Sequence, residues 1–201
     1  MKKLLSVKNV VISVAILILI WQLLFKGSSF DAALFPSPKM ALDALIEMIQ
    51  NGKLFENIKT SMFRFAAGYI SSVAVAVVLG LILGRLPKVF QYINPAVQLL
   101  RPISPTAWMP FIVLLFGIGD MPAVVIIFIA AFFPVLLSTV GAVANIDPIY
   151  LKVAKNFGIK QPELTWKVIL PAAFPQIANG IHLALGTAWI SCLQPYSLSA
   201  L

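Results

Sequence analysis

Long apolar runs alternate along the chain with polar segments. Most of these runs reach the roughly 20 residues that a helix needs to cross a hydrocarbon core about 30 Å thick. We predict five membrane spans, at residues 10–25, 61–83, 108–117, 123–144 and 168–193. The third of them is short and irregular. Four prolines interrupt residues 92–110, so we expect a short interfacial helix there, followed by a proline-interrupted return to the membrane.

The polar segment at residues 27–59 precedes the second span. Its lysines are balanced by acidic residues, as is typical of chain outside the membrane. Proline is tolerated in the first turn of a helix, and apolar residues recur after Pro38 with the spacing of one helix face. We therefore predict a loop followed by an amphipathic helix. The apolar face of this helix consists of Met40, Leu42, Leu45, Ile46 and Ile49.

The composition supports a membrane protein. Of the 201 residues, 60% are hydrophobic and only 11% are charged, and the mean hydropathy is +0.96. A soluble domain carries about 25% charged residues, so a surface this apolar requires lipid around it. We predict an all-α fold, a polytopic transmembrane helical bundle. The single cysteine, Cys192, and the single histidine, His182, argue against a disulfide framework and against a metal site.

The positive charges predict the orientation of the chain. The net charge is +8, but the basic residues form short clusters between apolar runs instead of the long stripe expected for a nucleic-acid partner. The excess of lysine and arginine falls on the N-terminus, on residues 83–101 and on residues 145–167. By the positive-inside rule these three segments are cytoplasmic. We therefore predict a multi-pass protein of the plasma membrane with a cytoplasmic N-terminus and no nucleic-acid partner.

The polar segment at residues 145–167 has the pattern of two short helices joined by a turn. Asp147 can cap the first helix, with Pro148 in its first position, and Gly158 fits the left-handed conformation that ends helices. Residues 161–163 then start a second helix, which leads back into the membrane. The segment is basic on its surface. Its apolar positions are Val153, Ala154, Phe157, Leu164 and Trp166.

The spacing within this segment resembles the EAA loop of ABC importer permeases. In that family the loop reads Glu-Ala-Ala, three residues, Gly, nine residues, Ile-x-Leu-Pro. Here Lys152-Val153-Ala154 is followed after three residues by Gly158 and, after nine more, by Val168-Ile169-Leu170-Pro171. The chain departs from the pattern at its first two positions, where it has Lys152 and Val153. The positions that match are Ala154, Gly158, Leu170 and Pro171.

This resemblance implies a fold, a mechanism and partners. The fold would be that of a type I ABC importer permease (MetI-like), and the loop would dock onto a cytoplasmic ABC ATPase subunit. ATP and magnesium would bind that partner, and this chain itself would hold no cofactor. An extracytoplasmic binding protein would deliver the solute, and a second permease copy would complete a homodimer in the lipid bilayer. ATP binding and hydrolysis would then drive alternating access.

Other segments are similar to one branch of the family. They are Ser61-Met62-Phe63-Arg64, Arg101-Pro102-Ile103-Ser104-Pro105 and the turn Phe116-Gly117-Ile118-Gly119-Asp120, and they resemble the permeases that import nitrate, sulfonates and taurine. The resemblance implies a small anion as the solute. It ends near residue 190, so we expect an incomplete permease domain at residues 1–190, truncated before its last span. Residues 191–201 would then form an aberrant C-terminal tail.

Four polar residues within the spans are candidates for the substrate pathway: Arg64, Asn179, His182 and Thr187. Ionisable residues inside a membrane often mark a pathway. Each also has a structural alternative. Arg64 could extend to the headgroups, and the other three could form hydrogen bonds between helices. Gly80 and Gly84 form a GxxxG pattern, which favours close helix packing and, as an alternative, dimer contact.

Two alternatives to an ATP-driven importer remain. An ion-coupled secondary transporter would need intramembrane carboxylates or comparable ligands, and the predicted spans contain no Asp or Glu. A non-functional, truncated membrane scaffold is the other alternative. No nucleophile and base pattern predicts an enzyme. Residues 80–85 approach a phosphate-binding loop but lack its lysine, so any ATPase must be a separate chain.

Overall fold

The computed structural model describes residues 2–27, 36–160 and 163–193. It contains no β-strand in these ranges, which confirms the predicted all-α class. The chain forms two compact units, Met1–Lys59 and Thr60–Leu201. The α-helices are α1 (Lys2–Gly27), α2 (Pro38–Gln50), α3 (Lys53–Arg85), α4 (Pro87–Leu100), α5 (Met109–Phe116), α6 (Asp120–Ala144), α7 (Pro148–Asn156) and α8 (Leu170–Leu193). A 3-10 helix (Pro105–Trp108) precedes α5, and a π-helical turn (Thr165–Ile169) precedes α8.

The first unit holds the first span and the amphipathic helix, both as predicted. The apolar run of the first span lies inside α1. Helix α2 begins at Pro38, and the Ser37 hydroxyl caps it by accepting a hydrogen bond from the amide of Met40 at 3.2 Å. The indole Nε1 of Trp21 donates to the Pro36 carbonyl at 3.1 Å and so ties α1 to the start of α2. Residues 28–35 of the predicted loop lie outside the described residues.

Helix α3 is longer than the predicted second span. Residues 53–59 were assigned to the polar segment, but they form the first turns of this 33-residue helix. Gly52 explains the boundary: its φ of +69° ends α2 and lets the chain restart at Lys53. The lysines and the glutamate of these first turns are good helix formers, so the helix extends beyond the apolar stretch.

The third span is irregular and broken at prolines, as the sequence predicts. Helix α5 has eight residues, about 12 Å, and cannot cross a bilayer by itself. Instead α4 and the segment Pro105–Phe116 form a pair bent by 87°. Among the described residues, four other helices are long and apolar enough to cross a membrane, and the predicted count of five holds when this bent pair is one span. The break coincides with Pro102 and Pro105, each of which lacks the amide hydrogen that would continue α4.

Helix α6 is the centre of the second unit, with α3 and α8 packed against it. The largest fully buried side chains include Ile126, Ile127, Val135 and Thr139, all on α6. On α3 the buried positions are small, namely Gly68, Ser72, Ala76 and Gly80, with Leu81 next to them. Small residues let two helix backbones approach closely, which is how helices associate in a membrane.

Three glycines show how close α3 comes to α6. A Cβ on Gly80 would lie 2.5 Å from the Cβ of Thr139, and one on Gly84 would lie 2.7 Å from the Cβ of Val143. A Cβ on Gly68 would lie 2.6 Å from the carbonyl oxygen of Val124. The predicted GxxxG packing is therefore confirmed within the chain. The order of these contacts also shows that α3 and α6 run parallel.

The direction of the helices determines how the chain returns between α3 and α6. Because the two helices are parallel, residues 86–119 must carry the chain from the end of α3 back to the start of α6. The bent pair lies in this stretch. Helix α8 runs antiparallel to α6. We call the end of the bundle where residues 145–169 join α6 to α8 the loop end, and the other the opposite end.

Hydrogen bonds from side chains to backbone carbonyls join the three helices. Ser72 donates to Phe128 of α6 at 2.9 Å, and Tyr69 donates to Ile181 of α8 at 2.6 Å. Buried hydroxyl groups in an apolar bundle require such partners, since no water is available to them. These bonds fix the axial positions of α3, α6 and α8 relative to one another.

Candidate functional site

The loop between α6 and α8 begins with a capped helix. The Asp147 carboxylate accepts a hydrogen bond from the amide of Ile149 at 2.8 Å, and Pro148 is the first residue of α7. Both features confirm the predicted start of the helix. An acidic cap satisfies one of the free amides at the helix N-terminus and interacts favourably with the helix dipole.

The end of α7 is a Schellman turn around Gly158, as the sequence predicted. The φ of Gly158 is +71°, and its amide donates to Lys155 at 3.0 Å. The next amide, from Ile159, donates to the carbonyl of Ala154 at 3.1 Å. This pair of bonds satisfies carbonyls that the helix end leaves free. The turn therefore holds the chain after α7 in a defined direction.

The predicted apolar positions of the loop divide into two groups. Ala154 is buried, with 3% of its surface exposed, and it anchors α7 to the bundle. Phe157 is 80% exposed, and Val153 and Trp166 are exposed as well, beside the exposed Lys152. Exposed apolar side chains therefore lie together at the loop end, and contiguous apolar surface of this kind is typical of protein or membrane contacts.

An open groove of about 600 Å³ lies between α7 and the start of α8. Its walls are almost entirely apolar, and Lys167 is its one charged lining residue within the described chain. Phe157 on α7 and Pro171 on α8 both face it. The remaining lining residues are Ile149, Tyr150, Val153, Ala154, Ile159, Val168 and Ala172.

The chain returns to the bundle through the π-helical turn, which leads directly into α8 at Leu170 and Pro171. The ring of Pro171 excludes an α-helical bond to the carbonyl of Lys167, four residues earlier, and this carbonyl lies within the π turn. Proline therefore accounts for the wider turn. Glu163 and Lys167 form an exposed ion pair at 3.3 Å across it. Residues 161–162, the predicted start of the second helix, lie outside the described residues.

The structure adds a contact at the loop end that the sequence did not predict. The guanidinium Nη1 of Arg85, the last residue of α3, donates to the hydroxyl of Thr165 at 2.6 Å. Arg85 was predicted only as a basic residue on the cytoplasmic side, and Thr165 was not singled out. Nothing in the local sequence of either residue indicates a contact across 80 positions of the chain.

The four candidate pathway residues do not form one site within this chain. Asn179 and His182 are exposed on the side of α8 that faces away from α6. Thr187 donates to the carbonyl of Ala184 in its own helix at 3.0 Å and lies 3.4 Å from the carbonyl of Ala130 on α6. The first two therefore share a face, whereas Thr187 contacts the neighbouring helix.

Arg64 has a partner that neither sequence alternative included. It forms an ion pair with Asp120 at the opposite end of the bundle, and its Nε donates to the carboxylate at 2.6 Å. Asp120 is the first residue of α6, and Arg64 lies about three turns after the start of α3. The pair therefore joins the two parallel helices at the end where α6 starts.

Comparison with known proteins identifies the family. The pattern of the binding-protein-dependent transport system inner membrane component matches residues 76–199, well over half of the chain. The chain belongs to this family of ABC transporter permeases. With its long apolar helices, it is a multi-pass protein of the inner membrane. The matched region includes the loop between α6 and α8 and most of the predicted C-terminal tail.

Three relatives illustrate the similarity. A nitrate import permease of Leptolyngbya laminosa is 31% identical over 92% of this chain, which covers 68% of that protein. The taurine transport system permease of Escherichia coli is 26% identical, with coverages of 94% and 70%. A Bacillus subtilis protein named for aliphatic sulfonates transport is 32% identical, with coverages of 88% and 64%. The chain thus spans about two thirds of the length of these relatives.

Proposed function

We propose that this chain is the membrane-spanning subunit of an ATP-driven importer. Its solute would be a small anion or related compound of the nitrate, alkanesulfonate or taurine type. The observation that carries the proposal is the loop between α6 and α8. It is a capped helix that presents Phe157 and neighbouring apolar side chains outside the bundle. The relatives named for nitrate, taurine and aliphatic sulfonates support the choice of solute.

The loop end would lie in the cytoplasm. Lys152, Lys155, Lys160 and Lys167 make this end basic, as the positive-inside rule requires. The ATPase that binds there would carry ATP and magnesium. The opposite end, where Arg64 pairs with Asp120, would then face the solute-binding protein outside the membrane. The N-terminus would be cytoplasmic.

A second copy of the chain would complete the solute pathway. The outward face of α8 carries Asn179 and His182, both of them exposed. Polar side chains directed at lipid are costly, so we expect this face to meet a second permease or the aqueous pathway between two copies. Alternating access would open this pathway to each side in turn, with ATP binding and hydrolysis on the partner as the energy source.

The proposal is tested on the assembly as it occurs. The chain is purified from its native membranes in mild detergent, and the ATPase that accompanies it is measured with the binding protein and a panel of solutes. We expect stimulation by nitrate, an alkanesulfonate or taurine and none by sugars or amino acids of similar size. A chain without any ATPase, or uptake abolished by a protonophore at constant ATP, contradicts an ATP-driven importer.

Two truncations test whether the loop is the docking surface. Phe157→Ala removes the most exposed aromatic among the described residues of the loop, and we expect at least about a tenfold loss of bound ATPase, as for a central aromatic contact. Lys160→Ala is the matched control, because it shortens another exposed side chain of the same loop but leaves its aromatic surface in place. We expect it to change binding by less than about threefold. Equal losses in both variants contradict docking through the apolar side chains.

A further inference from the structure

Thr165 takes part in two bonds at the junction between the loop and α8. Its hydroxyl accepts a hydrogen bond from the Arg85 guanidinium at 2.6 Å, and its carbonyl accepts the amide of Leu170, the first residue of α8. Both side chains are half-buried. One residue therefore links the end of α3 to the start of α8, immediately after the loop that presents Phe157.

The π turn makes this junction a place where the backbone can change. It comprises the five residues Thr165–Ile169 and holds one residue more per turn than an α-helix. Single π turns inside helices are frequent at functional sites. A change of one residue in register rotates the preceding chain by about 100° relative to α8. The side chain of Thr165 would then leave its position beside Arg85.

The packing around the Arg85–Thr165 bond leaves room for the loop to move, but it holds the end of α3 in place. A cavity of about 410 Å³ borders Arg85, with Leu151 and Leu164 of the loop among its lining residues. Close packing is incomplete there, so the loop side has room to shift. The end of α3, by contrast, is held on α6, since Gly84 lies directly against Val143.

We infer that Arg85 is a positioning residue that couples movement of the loop to movement of the bundle. Its hydrogen bond to Thr165 connects the π turn to the end of α3. The inference rests on the proposed function and names a residue through which it operates. When the ATPase displaces the loop, α3 moves together with α8. Without the bond the loop can shift into the cavity while α3 and its partner α6 stay in place.

A second hydrogen bond, from Tyr69, explains why the Arg85–Thr165 bond matters for the whole bundle. Tyr69 connects α3 to Ile181 of α8 farther along the two helices. With both bonds present, α3 and α8 are joined next to the loop as well as farther along, and they transmit a displacement as one body. With the Arg85 bond removed, the described contacts that remain between the two helices, such as Tyr69 with Ile181 and Cys192 with Ser61, lie farther from the loop, and the junction next to the loop absorbs the movement.

The test uses the native complex with its ATPase and binding protein, reconstituted in lipid nanodiscs. Thr165→Val removes the acceptor but keeps the shape of the side chain, and Arg85→Gln removes the donor cation. Thr165→Ser keeps the hydroxyl. Lys88→Gln is the matched control, since it removes an exposed positive charge three residues beyond Arg85. The readout is the ratio of solute-stimulated to basal ATPase rate, together with the amount of bound ATPase and the midpoint of thermal unfolding.

We expect the stimulation ratio to fall about fivefold or more in Thr165→Val and in Arg85→Gln. A fivefold change is at the lower end of the range that is typical of coupling between two sites. The double variant should lose no more than Arg85→Gln alone, because the Thr165 hydroxyl then has no Arg85 bond left to lose. Thr165→Ser and Lys88→Gln should keep the ratio within about twofold. Bound ATPase should be unchanged in all four, which a general loss of structure would not produce.

Three results overturn the inference. The first is a Thr165→Val complex that keeps its stimulation ratio. The second is a double variant whose loss equals the product of the two single losses. The third is an equal fall in Lys88→Gln. If Arg85→Gln fails to assemble, Thr165→Val and Thr165→Ser still decide. A wild-type complex without solute-stimulated ATPase is a different failure, since it refutes the proposed function before any variant is measured.

Discussion

Arg64 and Asp120 lie 56 positions apart in the chain, yet they form an ion pair that joins α3 to the first residue of α6. The Arg64 side chain is 18% exposed and the Asp120 side chain is 58% exposed, so water screens the pair on one side only. The pair holds together the end of the bundle at which the bent segment α4–α5 returns the chain to α6.

Removing the charge of this pair should lower stability modestly. We expect Asp120→Asn to cost about 0.5–1 kcal/mol, because partly exposed ion pairs contribute in this range. At low salt, thermal unfolding in detergent should show the lower stability of the variant. At roughly 0.5 M salt the difference from wild type should shrink, because exposed charges are then screened. Glu163→Gln is the control, since Glu163 and Lys167 are both largely exposed. A loss in Asp120→Asn that is independent of salt contradicts this account.

Adding one methyl group at Gly80 should separate α3 from α6. We expect Gly80→Ala to destabilise the chain by about 1–3 kcal/mol, since the new Cβ would overlap Thr139 and overpacking has costs of this size. Gly141→Ala is the matched control in α6, where the nearest atom, at 3.6 Å, is the flexible end of Gln176. This control should be neutral or slightly stabilising. Equal unfolding midpoints for the two variants would show that the helices are not closely packed.

Removing the hydroxyl of Tyr69 should loosen α8 from α3. Tyr69→Phe keeps the ring, which stacks on Phe65, but removes the bond to Ile181. We expect a loss of about 0.6–2 kcal/mol, the range measured for hydrogen bonds between membrane helices. Ser71→Ala should cost almost nothing, because that hydroxyl bonds only carbonyls of its own helix in the described contacts. Denaturant unfolding in mixed micelles compares the two, and a larger loss in Ser71→Ala would refute the prediction.

Replacing the cap of α7 should destabilise the loop locally. Asp147→Ala removes the acceptor for the Ile149 amide, and we expect a cost of about 0.5–2 kcal/mol to the helix. Amides of α7 should exchange with deuterium correspondingly faster, while those of α6 stay protected. Asp147→Asn should retain most of the protection, since asparagine caps as well as aspartate. Equal exchange in the Ala and Asn variants would mean that the cap does not stabilise α7.

The comparison of sequence with structure separates local from distant features. The caps at Ser37 and Asp147 and the left-handed Gly158 were predictable, because each depends on a few neighbouring residues. The third span was predicted as irregular and interrupted by prolines, and the structure has this interruption. Its prolines predicted a break, but the angle of 87° and the short α5 depend on how the broken segment packs.

The candidate site was predictable to a similar extent. The resemblance to the EAA loop located this segment and its matching residues, and the structure confirms its first helix and the turn that follows. Which apolar side chains face outward was not predictable, since Ala154 is buried whereas Val153 beside it is exposed. Whether the face of Asn179 and His182 lines a pathway stays a prediction.

The sequence by itself determined the class of this protein, its apolar helices and the helix–turn segment of the loop. Hydrophobicity and backbone preference act over a few residues, so they can be read without knowledge of the fold. Only the tertiary structure decided the pairs Arg64 with Asp120, Tyr69 with Ile181 and Arg85 with Thr165. Such pairs depend on the direction and axial position of packed helices. Small residues such as Gly80 permit that packing, but their presence does not show which helix they will meet.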